Sequence, residues 1–148
     1  MFPMPLDAIF SFANLLALLG WLVLLGSPWL PERARIVPQI VVPALLALAY
    51  GAVLFGGAMP EGGGFGSLDG VAVLFSSRSV LLAGWLHFLA FDLFVGAWMV
   101  NEAKRCGLAF PFVVPCLALA FMLGPLGFLL FLVLRGLFAR APLKETSR

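Results

Sequence analysis

Four long apolar stretches, separated by short polar links, dominate the pattern of residues along the chain. Each is long enough for a membrane helix, because about 20 apolar residues cross the roughly 30 Å hydrocarbon core. The predicted spans cover residues 7–27, 36–59, 79–101 and 110–134, with a loop at 60–78 and a basic tail at 135–148. The pattern therefore predicts an all-α, four-helix integral membrane bundle that forms a single transmembrane domain over residues 1–148.

Prolines end or bend three of these spans. The first span is predicted to end at Ser27, because Pro28 disfavours helix in the residue before it. Pro43 is predicted to bend the second span. In the fourth span, the Gly124-Pro125 pair is predicted to cause a kink and to free the carbonyl of Phe121.

Composition supports the membrane assignment. The chain is 63% hydrophobic and 11% charged, with a mean hydropathy of +1.11, whereas an average soluble domain is about a quarter charged. The net charge of +2 comes without a basic stripe, so a nucleic-acid partner is not expected. No basic residue precedes the first apolar run, and we expect that span to remain in the mature protein.

The basic residues do not set a clear orientation if all four spans cross. One side would then carry four of them and the other side five, and the first loop and the tail would lie on opposite sides. The first set is Arg33, Arg35, Lys104 and Arg105, and the second is Arg78, Arg135, Arg140, Lys144 and Arg148. Only the first helix, whose nearby basic residues follow it, favours an N-terminus outside the cytoplasm.

The link between the second and third spans combines a flexible stretch with a short apolar one. Gly62 to Gly66 is glycine-rich, and residues 68–75 are apolar but too short to cross a membrane. We predict that residues 68–75 cover the mouth of a cavity leading to His87, with the glycine run as a hinge.

Neither the cysteines nor the glycine run indicates a metal or cofactor site. Cys106 and Cys116 lack metal-ligand or redox spacing, and no Gly-Lys-Ser/Thr follows the glycines. The sequence therefore predicts no metal and no cofactor.

His87 and Asp92 lie near the middle of the third span. An aspartate at that depth costs roughly 2.5–3.5 kcal/mol on insertion scales, so it is expected to face a partner or a cavity. A five-residue spacing turns the two side chains about 140° apart, so each should address a different helix or flank one pocket from two sides. The alternative is structural: His87 could bond a carbonyl or a serine, and Asp92 could bond Asn14 or Tyr50.

Several strings in the chain resemble the abscisic-acid-deficiency-type membrane proteins, the family that includes the plant neoxanthin synthases. The most specific are Trp85 to Trp98 (WLHFLAFDLFVGAW) and Gly124 to Phe128 (GPLGF), and Ala13-Asn14, Trp21, Pro28, Phe65 to Gly70 and Pro115 to Leu117 also fit. Plant members carry a chloroplast transit sequence that this chain lacks, which indicates a compact bacterial-type member in an inner (cytoplasmic) membrane. The chain also has Asn101-Glu102 where the family commonly has an aspartate.

The resemblance implies an enzyme, or an essential component, that acts on a carotenoid within the membrane. In the plant reaction an epoxy-carotenoid becomes an allenic alcohol of the same formula, which needs an acid and a base but no redox cofactor. His87 and Asp92 are the candidate catalytic residues, with the acid and base roles unassigned. The candidate substrate-binding residues are Asn14, Tyr50, Trp85, Phe91 and Trp98.

Three interpretations stay open at this point. The protein could be a carotenoid or polyene isomerase, a non-catalytic carotenoid- or lipid-binding protein, or a small transporter or assembly partner. The expected partners are a carotenoid or another hydrophobic small molecule and membrane lipid, and homo-oligomer formation is left open.

Overall fold

The protein is all-helical in a computed structural model that describes residues 5–138. The helices are α1 (Leu6–Leu25), α2 (Val42–Gly56), α3 (Leu68–Ser76), α4 (Arg78–Arg105) and α5 (Phe110–Phe138). A 3-10 turn at Glu32–Arg35 and a π turn at Val37–Val41 lead into α2, so this apolar segment runs from residue 32 to residue 56. Four apolar helical segments are long enough to cross a membrane, which confirms the predicted fold class. Residues 139–148 of the predicted basic tail lie outside the described residues.

Helix α4 is the central element and contacts every other helix. Small residues allow close packing against α1: Gly96 lies against the ring of Trp21, and Gly20 lies against Leu93. Leu86, Leu93 and Met99 of α4 are fully buried in the resulting core. Close approach of this kind favours helix association in membranes, where dispersion contacts supply much of the attraction.

Helix α5 reverses direction near its middle. Leu123 has φ −142° and ψ 62°, which is not helical, and the rings of Phe112 and Phe138 stack with centroids 5.1 Å apart. A straight helix would place these two residues about 39 Å apart. Gly127 packs directly on the backbone of Ala120, so the two halves of α5 form an antiparallel hairpin.

The path of α5 therefore differs from that of a straight helix. Residues 110–134 are apolar and long enough to cross, but each half of α5 is only about 20 Å long, short of the roughly 30 Å core. The predicted kink at Gly124-Pro125 is a full reversal, because Pro125 donates no backbone N–H and Leu123 leaves the helical conformation. Both ends of α5 consequently lie on the side of the bundle where α4 ends, and Arg135 Nη2 lies 2.9 Å from Glu102 Oε1.

The reversal also redistributes charge between the two faces of the bundle. Lys104 Nζ lies 3.7 Å from Glu32 Oε1, so the first loop shares the face on which α4 and α5 end. We call this the basic face, and its basic residues within the described range are Arg33, Arg35, Lys104, Arg105 and Arg135. Among residues 5–138, the one basic residue on the opposite face is Arg78, which pairs with Asp7 at 2.7 Å. The positive-inside rule then predicts that the basic face is the cytoplasmic one and that α1 starts on the other side.

A topology experiment checks the reversal of α5. Reporter fusions at Pro31 and after Phe138 should report the same, cytoplasmic side, and a fusion at Gly64 should report the opposite side. Fusions at Pro31 and after Phe138 that report opposite sides would contradict the hairpin.

The turn should be sensitive to substitution of Gly127. A Cβ at this position would overlap the backbone N and Cα of Ala120, so Gly127→Ala should destabilise the protein by about 1–3 kcal/mol, as overpacking does. Gly136→Ala is the matched control, since a Cβ at Gly136 meets nothing within 4 Å. Thermal unfolding in detergent should lower the midpoint only for Gly127→Ala; equal midpoints for the two variants would contradict the packing.

Candidate functional site within the membrane

His87 lies on a surface of α4 that is open to the bilayer. Its imidazole stacks on Phe91 with ring centroids 4.5 Å apart and an interplanar angle of 22°. The ring of Tyr50, from α2, is 6.0 Å away. The side chain is exposed and forms no hydrogen bond within residues 5–138. A molecule dissolved in the bilayer can therefore reach this imidazole.

The side chain of Asp92 lies against the turn of α5 instead. A Cβ added to Gly124 would overlap the Asp92 carboxylate, so the two residues are in direct contact. Oδ2 of Asp92 is buried and has no hydrogen-bond partner in the described part of the chain. The second half of α5 begins at this point, and a helix N-terminus favours a nearby negative charge.

The structure thus places His87 and Asp92 against different helices, α2 and α5 respectively. It does not bring them together in one pocket. Neither of the partners predicted for Asp92 is joined to it: Asn14 bonds elsewhere, and Tyr50 lies beside His87.

Asn14 and Trp85 link α1 to α4. Trp85 Nε1 donates a hydrogen bond of 3.0 Å to Asn14 Oδ1, while Asn14 Nδ2 donates to the carbonyl of Phe10 at 2.8 Å. Trp85 lines a cavity of about 320 Å³, which the Asp7–Arg78 ion pair also lines. Both polar groups of the Asn14 side chain therefore form hydrogen bonds within the protein, and the ring of Trp85 lines the cavity.

Phe91 and Trp98 lie along the same face of α4 as His87. Trp98 packs edge-on against Phe131 and obliquely against Phe128, both from the second half of α5. Beyond Trp98, Asn101 Nδ2 donates to Gln39 Oε1 at 3.0 Å. The side chains at this end of α4 enclose a cavity of about 240 Å³, lined by Gln39, Phe94, Trp98, Asn101, Glu102 and Arg105.

The buried Glu102 forms an ion pair with the partly exposed Arg135, which sequence reasoning missed. The Glu102 side chain is 8% exposed and also lies 3.1 Å from Arg105 Nε. An acidic residue beside the Lys104-Arg105 pair is a visible signal in the sequence. The partnership with Arg135 was not visible, because a straight α5 would put Arg135 on the other face.

Helix α3 packs on α4 next to His87. Phe75 contacts Gly84, about one helical turn before the histidine, and the Ser67 Oγ caps α3 by accepting from the Gly70 N–H at 3.0 Å. Gly62 has φ +77°, a conformation that favours glycine. A lid hinged at residues 62–66 stays a prediction.

These features define a helical integral membrane protein with a re-entrant hairpin and ionisable groups at mid-membrane depth. A family model described as ABA4-like (ABA DEFICIENT 4-like) matches residues 8–131. The chain belongs to this family, which confirms the resemblance seen in its motifs. Comparisons with curated proteins and with solved structures give no match.

Glu102 should contribute more to stability than Glu32, although each carboxylate has two basic neighbours. Glu102→Gln should cost about 2 kcal/mol, because it removes charge-assisted bonds from a buried group. Glu32→Gln is the control: its side chain is 85% exposed, and surface pairs contribute about 0–1 kcal/mol. Equal unfolding midpoints in detergent for the two variants would contradict this difference.

Proposed function

We propose that this protein is a membrane enzyme that acts on a carotenoid or similar long polyene by acid–base isomerisation. The observation that carries the proposal is that His87 and Asp92, both at mid-membrane depth, form no hydrogen bond or ion pair within residues 5–138. Ionisable groups are costly in a bilayer and are usually paired or functional. Membership of the ABA4-like family supports the ligand class.

A purely structural role for the two residues has little support. The structural alternative needs His87 to bond a carbonyl or serine and Asp92 to bond Asn14 or Tyr50. Asn14 instead accepts from Trp85, and the Asp92 carboxylate contacts Gly124, which has no polar side chain. Neither residue ties helices together through the bond that this role requires.

The proposed reaction balances without an oxidant or a reductant. A proton goes to the epoxide oxygen, the adjacent C–O bond breaks, and a proton leaves a carbon of the polyene, so the product has the same formula. A carboxyl group or an imidazole can serve as acid or base in such a step. The reaction therefore needs proton-exchanging side chains that the substrate can reach.

His87 and Asp92 differ in how a substrate can reach them. His87 is exposed beside Phe91 and Tyr50, so a polyene in the bilayer can touch it directly. Asp92 lies against the turn of α5 and meets only a group that enters between α4 and α5. We assign direct contact with the substrate to His87. The proposed setting is the inner, cytoplasmic membrane of a bacterial cell.

A small transporter is the second candidate function, and the hairpin of α5 favours it. Broken helices whose ends meet near the bilayer midplane form the binding sites of many transporters. Asp92 lies at such an end. A transporter would move its ligand across the membrane unchanged, whereas an isomerase would convert it.

Near-isosteric variants should separate catalysis from folding. His87→Gln and Asp92→Asn remove proton exchange but keep size and polarity, so the protein should remain folded and inserted. His87→Gln should abolish conversion of an epoxy-carotenoid, with product falling by about 100-fold or more, as expected for loss of general acid–base catalysis. Product yield in carotenoid-producing cells is measured beside thermal stability in detergent.

Ser11→Ala serves as the control, because the Ser11 hydroxyl bonds only to the Asp7 carbonyl of its own helix at 2.9 Å. It should leave product yield unchanged. Full activity of His87→Gln would contradict the direct role, and full activity of both variants would remove the acid–base assignment. Loss of folding in both would return these residues to the structural interpretation.

A further inference from the structure

An aromatic stripe with polar ends runs along one face of α4. Its members recur every three or four residues, which places them on the same side of the helix. They are His87, Phe91, Phe94, Trp98 and Asn101. Phe91 and Phe94 are 57% and 48% exposed, and the stripe is about 21 Å long from His87 to Asn101.

Two other helices flank the stripe and make it a groove. Tyr50 lies beside His87 and Gln39 beside Asn101, so the segment that contains α2 forms one wall. Phe128 and Phe131, on the second half of α5, pack on Trp98 and form the other wall. The second wall exists only because α5 turns back towards the basic face.

The end of the groove at the basic face offers a donor and an acceptor to a ligand. Asn101 Nδ2 donates to Gln39 Oε1, which leaves Asn101 Oδ1 and Gln39 Nε2 without partners within residues 5–138. Together they suit a hydroxyl group, which can donate to the first atom and accept from the second. The cavity of about 240 Å³ at this point leaves room for a substituted ring.

We propose that the groove binds a rod-shaped polyene, with a hydroxylated end ring held by Asn101 and Gln39 and the conjugated chain lying on Phe94 and Phe91 towards His87. The ligand class rests on the proposed function, and the location and the polar anchor go beyond it. A stiff polyene loses less conformational entropy on binding than a flexible acyl chain does. Its flat π-system also stacks well on aromatic rings. We therefore expect a polyene to bind in this groove more tightly than a lipid acyl chain does.

Binding of defined pigments tests the groove. Purified protein is titrated with zeaxanthin, which has a hydroxyl on each end ring, and with β-carotene, which has none. Bound pigment and induced circular dichroism in the polyene absorption band are measured. The wild type should prefer zeaxanthin, and the double variant Phe91→Ala/Phe94→Ala should bind both pigments about tenfold more weakly.

The matched control is Phe12→Ala/Phe55→Ala. These phenylalanines are 65% and 89% exposed and lie on α1 and α2, away from the stripe. This variant should bind as the wild type does. An equal loss in both double variants, or no loss in either, would overturn the groove.

The polar anchor has its own test. Asn101→Leu removes the hydroxyl contact together with the bond to Gln39, and it should abolish the preference for zeaxanthin but leave binding of β-carotene unchanged, because β-carotene has no hydroxyl for the anchor to hold. A retained preference would overturn the anchor.

The readouts also separate this proposal from the enzymatic one. If binding depends on these residues as expected but the wild type converts no pigment, the groove stands and the isomerase proposal is overturned. If the wild type converts the pigment but Phe91→Ala/Phe94→Ala binds pigment as the wild type does, the groove is overturned and the isomerase proposal stands.

Discussion

Backbone hydrogen bonding at the turn of α5 is the constraint on which much of the structure depends. Leu123 leaves the helical conformation and Pro125 donates no N–H, so the turn leaves backbone polar groups without intrahelical partners at mid-membrane depth. Such groups are tolerated in a bilayer only where protein or water shelters them. Asp92 of α4 lies on Gly124, and Trp21 of α1 packs edge-on against Phe121 with centroids 5.6 Å apart. The turn therefore lies against α4 and α1 at the buried Gly124, while Met122, Leu123 and Leu126 beside it remain exposed.

Three features follow from this position. Both ends of α5 reach the basic face, where Arg135 pairs with the buried Glu102. The basic residues of the described range then concentrate on one side, so the positive-inside rule predicts a single orientation. The second half of α5 also runs beside α4 and supplies Phe128 and Phe131 as a wall next to Trp98. Charge distribution, topology and the aromatic groove thus share one cause.

Helix α4 distributes its polar groups among its neighbours. Trp85 bonds Asn14 of α1, His87 lies beside Tyr50 of α2, and Asp92 meets α5. A ligand dissolved in lipid can reach only groups on the lipid-exposed surface of the protein, and the exposed His87 is such a group. Asp92 is sheltered from lipid by the hairpin, which fits a group that is expensive to expose. The proposed isomerase and the proposed groove both depend on this division.

The sequence by itself determined the helical class, the apolar segments and the family, because hydrophobic length and motif strings are local properties of the chain. The five-residue spacing of His87 and Asp92 also left two placements open, against different helices or on two sides of one pocket, and the structure places them against different helices. Only the tertiary structure decided that α5 turns back, because Gly124-Pro125 is compatible with either a kink or a reversal. Packing selects the reversal, since a residue as small as Gly127 can lie on the backbone of Ala120. The partners Glu102–Arg135 and Asn101–Gln39 join residues far apart in sequence, so they depend on that packing and could not be predicted from local pattern.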